Sequence, residues 1–423
     1  MNERIYSTRN YSMVIESLYR KLDNPNFKGS INAIFILSIV IFHTFSTLDF
    51  NNKLVALQFY NFAYYYMTML ILFLFITRIS VIKINKHHFI FIVFSIYCFL
   101  NLCMRKNLDI SYAFMFLLWA LYIVIIFPLF CRDKKETIEL MTKSLVIYLV
   151  LFLLLLAAYS YYNNIPLYRI DWNPISNSLR PRFTSGLVNP VYYSKLVSVL
   201  IWISLLAYIL FRSKFYLLIL MLAGIILLIT DVRAQIYASI FGIVFYMLNI
   251  KKVRKIERIL GLISLFIILL GFFLNIMSAD YSRIDAFTSG RIDAWSDAVR
   301  KTYKDNVTIN FLLGSGTNVW GMELSSQERT AHYDNLYLEI LLRYGIVGFV
   351  LLICAFCDIL FSINNRIKYV EERKKRSLIW AKAVIFVILL NGVFDFVIPS
   401  LGNPINIVLL PLALNAISWS KFI

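Results

Sequence analysis

The sequence predicts an all-α fold, a polytopic transmembrane helical bundle of about 12 spans with a large periplasmic loop containing short helices. Three observations carry this expectation. Hydrophobic residues make up 60% of the 423 positions and charged residues only 16%, against about a quarter charged in soluble domains. Stretches 144–162, 191–211 and 259–277 are apolar almost without interruption, close to the roughly 20 residues that a helix needs to cross the hydrocarbon core. No run alternates in the manner of a barrel strand, so helices are the spanning element.

Taken in order, residues 1–30 form a polar segment of mixed charge. It lacks the basic start, apolar centre and small-residue cleavage site of a secretory signal, so the first span is expected to be retained. Spans follow at 31–47, 56–77, 89–104, 110–131, 144–162, 191–211, 215–230, 235–250 and 259–277, within a unit running from 31 to 277 that includes a periplasmic loop at 163–190. A large periplasmic loop at 278–336 separates this unit from 337–423, which holds spans 337–361, 378–396 and 404–420. An even count puts both termini on one side.

Basic residues then assign the sides. Loops sharing a side with the termini carry Arg78, Lys83 and Lys86, then Arg132, Lys134 and Lys135, then Arg212 and Lys214. Further along come Lys251, Lys252, Arg254 and Lys255, and finally Arg366, Lys368 and Arg373 to Arg376. By the positive-inside rule that side is cytoplasmic. The formal charge of +18 is therefore explained by topology, and nucleic acid is not an expected partner. The five cysteines lie in or beside apolar spans, and the Cys354/Cys357 pair reads as two small apolar residues of a membrane helix rather than a redox or metal pair.

The opposite face differs. Its two long loops mix arginines with acids, aromatics and glycines, and long varied loops on an economical scaffold are where function concentrates. Gly290–Tyr303 spaces Ile292, Trp295, Ala298 and Val299 at helical intervals after Ser289, predicting a short helix lying on the membrane face.

Four arginines stand at or near this face against the statistics: Arg182, Arg233, Arg291 and Arg343. Arg233 sits in Thr230-Asp-Val-Arg-Ala-Gln235, a polar break between two spans, where an ionisable group is costly unless it faces a polar cavity. Pairing with Asp231, or snorkelling at a helix end, is the structural alternative. Arg182 precedes Gly186, which allows close backbone approach, and Pro190, which suits a helix start. Arg291 follows Ser289-Gly290 at another predicted helix start. Guanidinium groups beside helix starts suit a pyrophosphate, because they match phosphoryl oxygens bidentately and keep their charge.

A second focus is Ala331-His-Tyr-Asp-Asn-Leu-Tyr-Leu-Glu339 and the Arg343-Tyr-Gly345 that follows. His332, Asp334 and Asn335 stand where the long loop re-enters the membrane, and Glu339 and Arg343 lie one and two turns deeper on one face. Asp334 and His332 are candidate general bases; Asp334 or Asn335 also suits a helix cap. There is no GxxxxGK[ST], no HExxH and no Cys/His metal spacing. Gly314-Ser-Gly-Thr317 reads as a turn, and Asp293 with Asp297 as a solvated face rather than a metal site. No cofactor or metal is expected.

The order Arg182, Gly186, Asn189-Pro190, Thr230-x-x-Arg233, Ser289-Gly-Arg-x-x-x-Trp295, Gly314-x-Gly316, Asp334-Asn335-x-Tyr-Leu-Glu339 and Tyr344-Gly-Ile-x-Gly348 resembles the O-antigen ligase and polymerase superfamily over residues 180–350. That resemblance implies a metal-independent membrane glycosyltransferase of the bacterial inner membrane. It would use a glycan on undecaprenyl diphosphate as donor and a second glycan as acceptor at the periplasmic face, in lipopolysaccharide or other surface polysaccharide biosynthesis, with a chain-length regulator as a further protein partner. Arg233, Arg291 and Arg182 would bind the diphosphate; His332 or Asp334 would act as base with Arg291 beside it, supported by Asn335, Glu339, Arg343 and Gly186. Asp334 stands where the ligases usually carry histidine, which favours a repeat-unit polymerase over a ligase that transfers the glycan to lipid A–core. A lipid-linked sugar transporter or flippase is the alternative from another class. It calls for charges near the midplane and internal symmetry, whereas only Lys195, Arg343 and Lys382 lie deep and no symmetry is visible.

Overall fold

A computed structural model describes residues 25–46, 65–66, 68–69, 72, 89–104, 117–122, 135–173, 178–187, 189–250, 291–302, 307–315, 335–395 and 403–419. Its elements are α1 (Pro25–Ser46), α2 (Phe89–Cys103), α3 (Lys135–Tyr162), β1 (Tyr168–Asn173), β2 (Ser178–Phe183), α4 (Pro190–Phe211), α5 (Lys214–Ile229), α6 (Arg233–Asn249), α7 (Arg291–Thr302), α8 (Val307–Leu313), α9 (Leu336–Ile367), α10 (Glu372–Phe394) and, after a π-helical turn at Ile405–Leu409, α11 (Leu410–Trp419). Within these, Glu136–Tyr162, Pro190–Phe211, Leu336–Ile367 and Glu372–Val393 are long and apolar enough to cross a membrane. Shorter apolar helices lie at Gly29–Phe42, Phe89–Cys103, Lys214–Ile229 and Ile405–Ala416. The protein is thus an all-α membrane protein, as composition and hydropathy require.

Helix limits depart from the hydropathy limits where polar turns extend a span. α3 begins at Lys135 rather than 144, and α10 at Glu372 rather than 378, because their polar first turns bond to each other: Arg373 meets Glu139 at 3.2 Å and donates to the Leu210 carbonyl at the foot of α4. The span expected at 259–277 lies outside the described residues, as do most of those at 56–77 and 110–131.

The loop expected at 163–190 contains an antiparallel hairpin, with Tyr168 opposite Phe183 and Arg169 opposite Arg182. Pro181 lacks an amide hydrogen, which a two-stranded ribbon tolerates because each strand has a free edge. The hairpin is anchored where Phe183 packs edge-on against Tyr193 in the first turn of α4, ring centroids 5.4 Å apart.

α4 forms the centre, buried on nearly every face, as a helix that is apolar all round should be. Its start is fixed by Pro190 at the first position and by Asn189, whose side chain accepts the Val191 amide at 2.9 Å. Three pairings set helix direction. Ser198 of α4 meets Ser239 of α6 at 3.2 Å and Trp202 lies against Gly242, so these helices run parallel; Trp380 of α10 donates to the Trp202 carbonyl at 2.8 Å, and Tyr337 of α9 donates to the Leu389 carbonyl at 2.6 Å. Hence α4, α6 and α9 begin at the end of the bundle where α10 finishes. The opposite end carries Arg212, Lys214 and the turn from Arg366 to Arg376.

α9 is broken at Gly345, whose φ of 65° lies in the left-handed region that favours glycine. A Cβ there would collide with the Leu312 carbonyl, and one at Gly314 with the Arg343 carbonyl. The two glycines therefore let α8 and the break in α9 touch through bare backbone.

Candidate functional site

The hairpin, the helix starts and the end of α10 share one end of the bundle. Arg182 lies in β2 and is half-buried. After it the chain turns through Ser185 and Gly186, with φ of 51° and 83°, and enters α4. Gly186 is required by packing: a Cβ there would strike the Ser160 side chain, while Ser160 donates to the Ser185 carbonyl at 2.9 Å. The close approach anticipated at Gly186 is thus filled by α3.

Arg233 is the first residue of α6, not part of a loop between two spans. The polar break is a tight turn in which Asp231 takes a φ of 49° and Thr230 donates to the Leu227 carbonyl at 2.6 Å. Val232 makes no side-chain cap bond, so the positive end of the helix dipole and the half-buried guanidinium occupy the same place.

Arg291 opens α7, the short helix read from the spacing of Ile292, Trp295, Ala298 and Val299. The helix is docked on α9. Trp295 and the fully buried Ala298 pack with Leu338 and Leu342, and Val299 of the predicted stripe is 39% exposed. Packing there partly shields Trp295, the largest apolar side chain of α7, from solvent.

Asn335 caps α9, its side chain accepting the Leu338 amide at 3.0 Å. Four and eight residues on, Glu339 and Arg343 form a sealed ion pair at 2.5 Å with side chains 2% and 1% exposed. Arg343 is therefore a partnered cation of the core. His332 and Asp334, the candidate bases, lie outside the described residues.

Three polar residues at this end were not singled out as site residues by sequence: Gln235, Asn391 and Asp395. Gln235 and Asn391 are fully buried, and Asp395 binds Lys195 at 2.5 Å. The available signal was periodicity. Lys195, Ser198 and Trp202, then Gln235, Ser239 and Gly242, then Val387, Asn391 and Asp395 each recur at helical spacing along one stripe, a polar pattern inside otherwise apolar spans.

This arrangement of helix starts spans a recognisable unit. Residues 216–353 match the family model described as O-Antigen ligase. The match covers 138 of the 423 residues, and over that segment the chain is similar to the O-antigen ligase family. No curated protein matches the chain. The matched segment runs from the first turn of α5 to just beyond the break in α9, taking in Arg233, α7, α8, Asn335 and the Glu339–Arg343 pair. Arg182 and the hairpin lie outside the match.

Proposed function

We propose that this O-antigen ligase-family protein is a surface-polysaccharide polymerase, joining repeat units carried on undecaprenyl diphosphate by metal-independent glycosyl transfer. The observation that carries the reading is the coincidence of Arg233 with the uncapped start of α6, at the end of the bundle opposite the lysine and arginine turns. The positive-inside rule makes the basic end cytoplasmic, so Arg233 faces the periplasm. As the glycosidic bond breaks, the departing diphosphate gathers negative charge. A fixed guanidinium beside backbone amides stabilises that charge without a metal.

Arg182 and Arg291, each near another helix start at the same end, complete the proposed diphosphate grip. Asp334 or His332 takes the proton of the acceptor hydroxyl, and Asn335 holds that loop in place by capping α9. The transporter alternative loses support because its deep cations are occupied: Lys195 by Asp395, Arg343 by Glu339, and Lys382 over the Phe245 ring at 5.4 Å.

The ligase reading keeps one specific support, the description of the matched family together with His332 beside Asp334. A chromosomal deletion separates the two: loss of a polymerase leaves single repeat units on the cell surface, loss of a ligase leaves none. For the site, Arg233→Ala at unchanged protein level is expected to lower polymer formation by at least 100-fold, consistent with removal of one transition-state donor, about 2.7–4 kcal/mol. Long chains of normal abundance from that variant would sink the assignment of Arg233.

A further inference from the structure

Between α4, α6 and α10 the stripes noted above meet in layers. Trp202, Gly242 and Val387 make contact at one level, since a Cβ on Gly242 would strike both neighbours. Seven residues towards the ends of the three helices, about 10 Å higher at 1.5 Å per residue, the corresponding positions are Lys195, Gln235 and Phe394, the last beside Asp395. Between these levels lie Ser198, Ser239 and Asn391. The junction is therefore apolar at its floor, neutral and polar in its middle layer, and closed at its mouth by the Lys195–Asp395 pair, with side chains 11% and 12% exposed.

Within it, hydrogen bonding is left incomplete in a particular way. Ser198 and Ser239 bond to each other and Lys195 to Asp395. The side-chain amides of Gln235 and Asn391, both fully buried, have no hydrogen-bond partner for either nitrogen or oxygen among the described residues. Buried amides are ordinarily paired, because an unpaired one forfeits its hydration. Each presents two donors and one acceptor oxygen, and the charges beside them cancel. Such a set suits neither a phosphate nor an acyl chain. It matches vicinal hydroxyls, each of which both donates and accepts. Helix periodicity turns Gln235 about 200° away from Arg233 on α6, so this junction is distinct from the arginine grip.

We propose that the α4–α6–α10 junction is a sugar-hydroxyl subsite, closed in this structure, in which Gln235 and Asn391 bind an uncharged part of the glycan once the Lys195–Asp395 pair parts. The inference rests on the glycosyl-transfer reading for the origin of the sugar and on the unpaired amides for the site. Opening at the mouth exposes Gln235 first and Asn391 one layer further in. The pair is the point of parting because it lies at the mouth; its side chains are only 11% and 12% exposed, so entering water and sugar hydroxyls have to solvate the separated charges.

The test uses the full-length protein in lipid nanodiscs, as wild type, Gln235→Leu and Asn391→Leu. Two probes are taken from the producing cells: the lipid-linked repeat unit, and the same oligosaccharide freed from its lipid by mild acid. Removing an unpaired buried amide should leave the unfolding temperature unchanged or raise it by a few degrees. Both variants should raise the KM for the lipid-linked unit at least tenfold. Free oligosaccharide should raise the unfolding temperature of wild type but not of either variant. Unchanged KM, an oligosaccharide shift that persists in both variants, or a lowered unfolding temperature would each overturn the subsite; the last would show the amides to be paired inside the protein. A wild-type protein that is stabilised by free oligosaccharide yet never lengthens the lipid-linked glycan would instead overturn the polymerase reading and leave the subsite standing.

Discussion

Two buried polar regions lie on either side of α10, and they treat hydrogen bonding in opposite ways. At the break in α9 hydrogen bonds close around the interruption: the Leu342 carbonyl accepts from the Ser315 amide at 2.8 Å, the Tyr344 carbonyl from the Tyr97 hydroxyl at 2.8 Å, and the Leu313 carbonyl from Asn101 at 2.6 Å. The adjacent Glu339 and Arg343 neutralise each other. In the α4–α6–α10 junction two amides have no hydrogen-bond partner among the described residues. Irregular backbone at membrane depth is tolerated where its polar groups find protein partners, which the α9 break achieves. The junction, built from three regular helices, has no backbone to repair, so its spare polarity lies in side chains alone. The first region is organised for a fixed shape and the second for exchange.

The largest effect is expected at the α9 break itself. Gly345→Val places a β-branched side chain in a left-handed conformation and drives it into the Leu312 carbonyl, combining backbone strain with a collision. A loss on the order of 4 kcal/mol or more is expected, seen as failure to recover folded protein from membranes. A well-folded Gly345→Val protein would mean that the break is dispensable and the fixed-shape reading wrong.

How much of this was legible in the sequence differs between the two regions. Hydropathy located α4, α5 and α6 to within about two residues, because each is a long apolar run ended by polar groups. The break in α9 was not legible: Gly345 and Gly348 look alike in an apolar run, and the demand for positive φ comes from the backbone of α8, some thirty residues earlier in the chain. The hairpin around Arg182 was hidden for another reason, since Pro174 and Pro181 argue against strands. At the site, the arginines were visible because charge near the outer face is unusual, whereas Gln235 and Asn391 are marked only by a polar stripe at helical spacing, which gains meaning once the helices that face them are known.

Removing charge from the α9 region is expected to have the next largest effect. Arg343→Leu leaves Glu339 buried without its partner and should cost about 3–5 kcal/mol. Combining it with Glu339→Leu removes both ions, and the double variant should recover most of that loss. The check is a double-mutant cycle on unfolding temperature in nanodiscs. Equal destabilisation in single and double variants would show that the pair matters for packing rather than for mutual neutralisation, and the α9 region would no longer count as electrically closed.

The smallest expected effect separates structure from chemistry at the start of α9. Asn335 spends its side-chain oxygen on the Leu338 amide, so Asn335→Ala should cost about 1 kcal/mol as a lost cap, while Asn335→Asp keeps the acceptor and should stay within a few tenths of wild type. Glycan transfer then divides the outcomes. If Asn335 acts only by capping, the Asp variant transfers at the wild-type rate and the Ala variant loses no more than its fall in folded protein explains. If the Asp variant is stable but slow, the amide nitrogen has a part in the reaction that the cap does not use. The start of α9 would then resemble the junction, with polarity held for a ligand, and the line between the two regions would run through α9 itself rather than along α10.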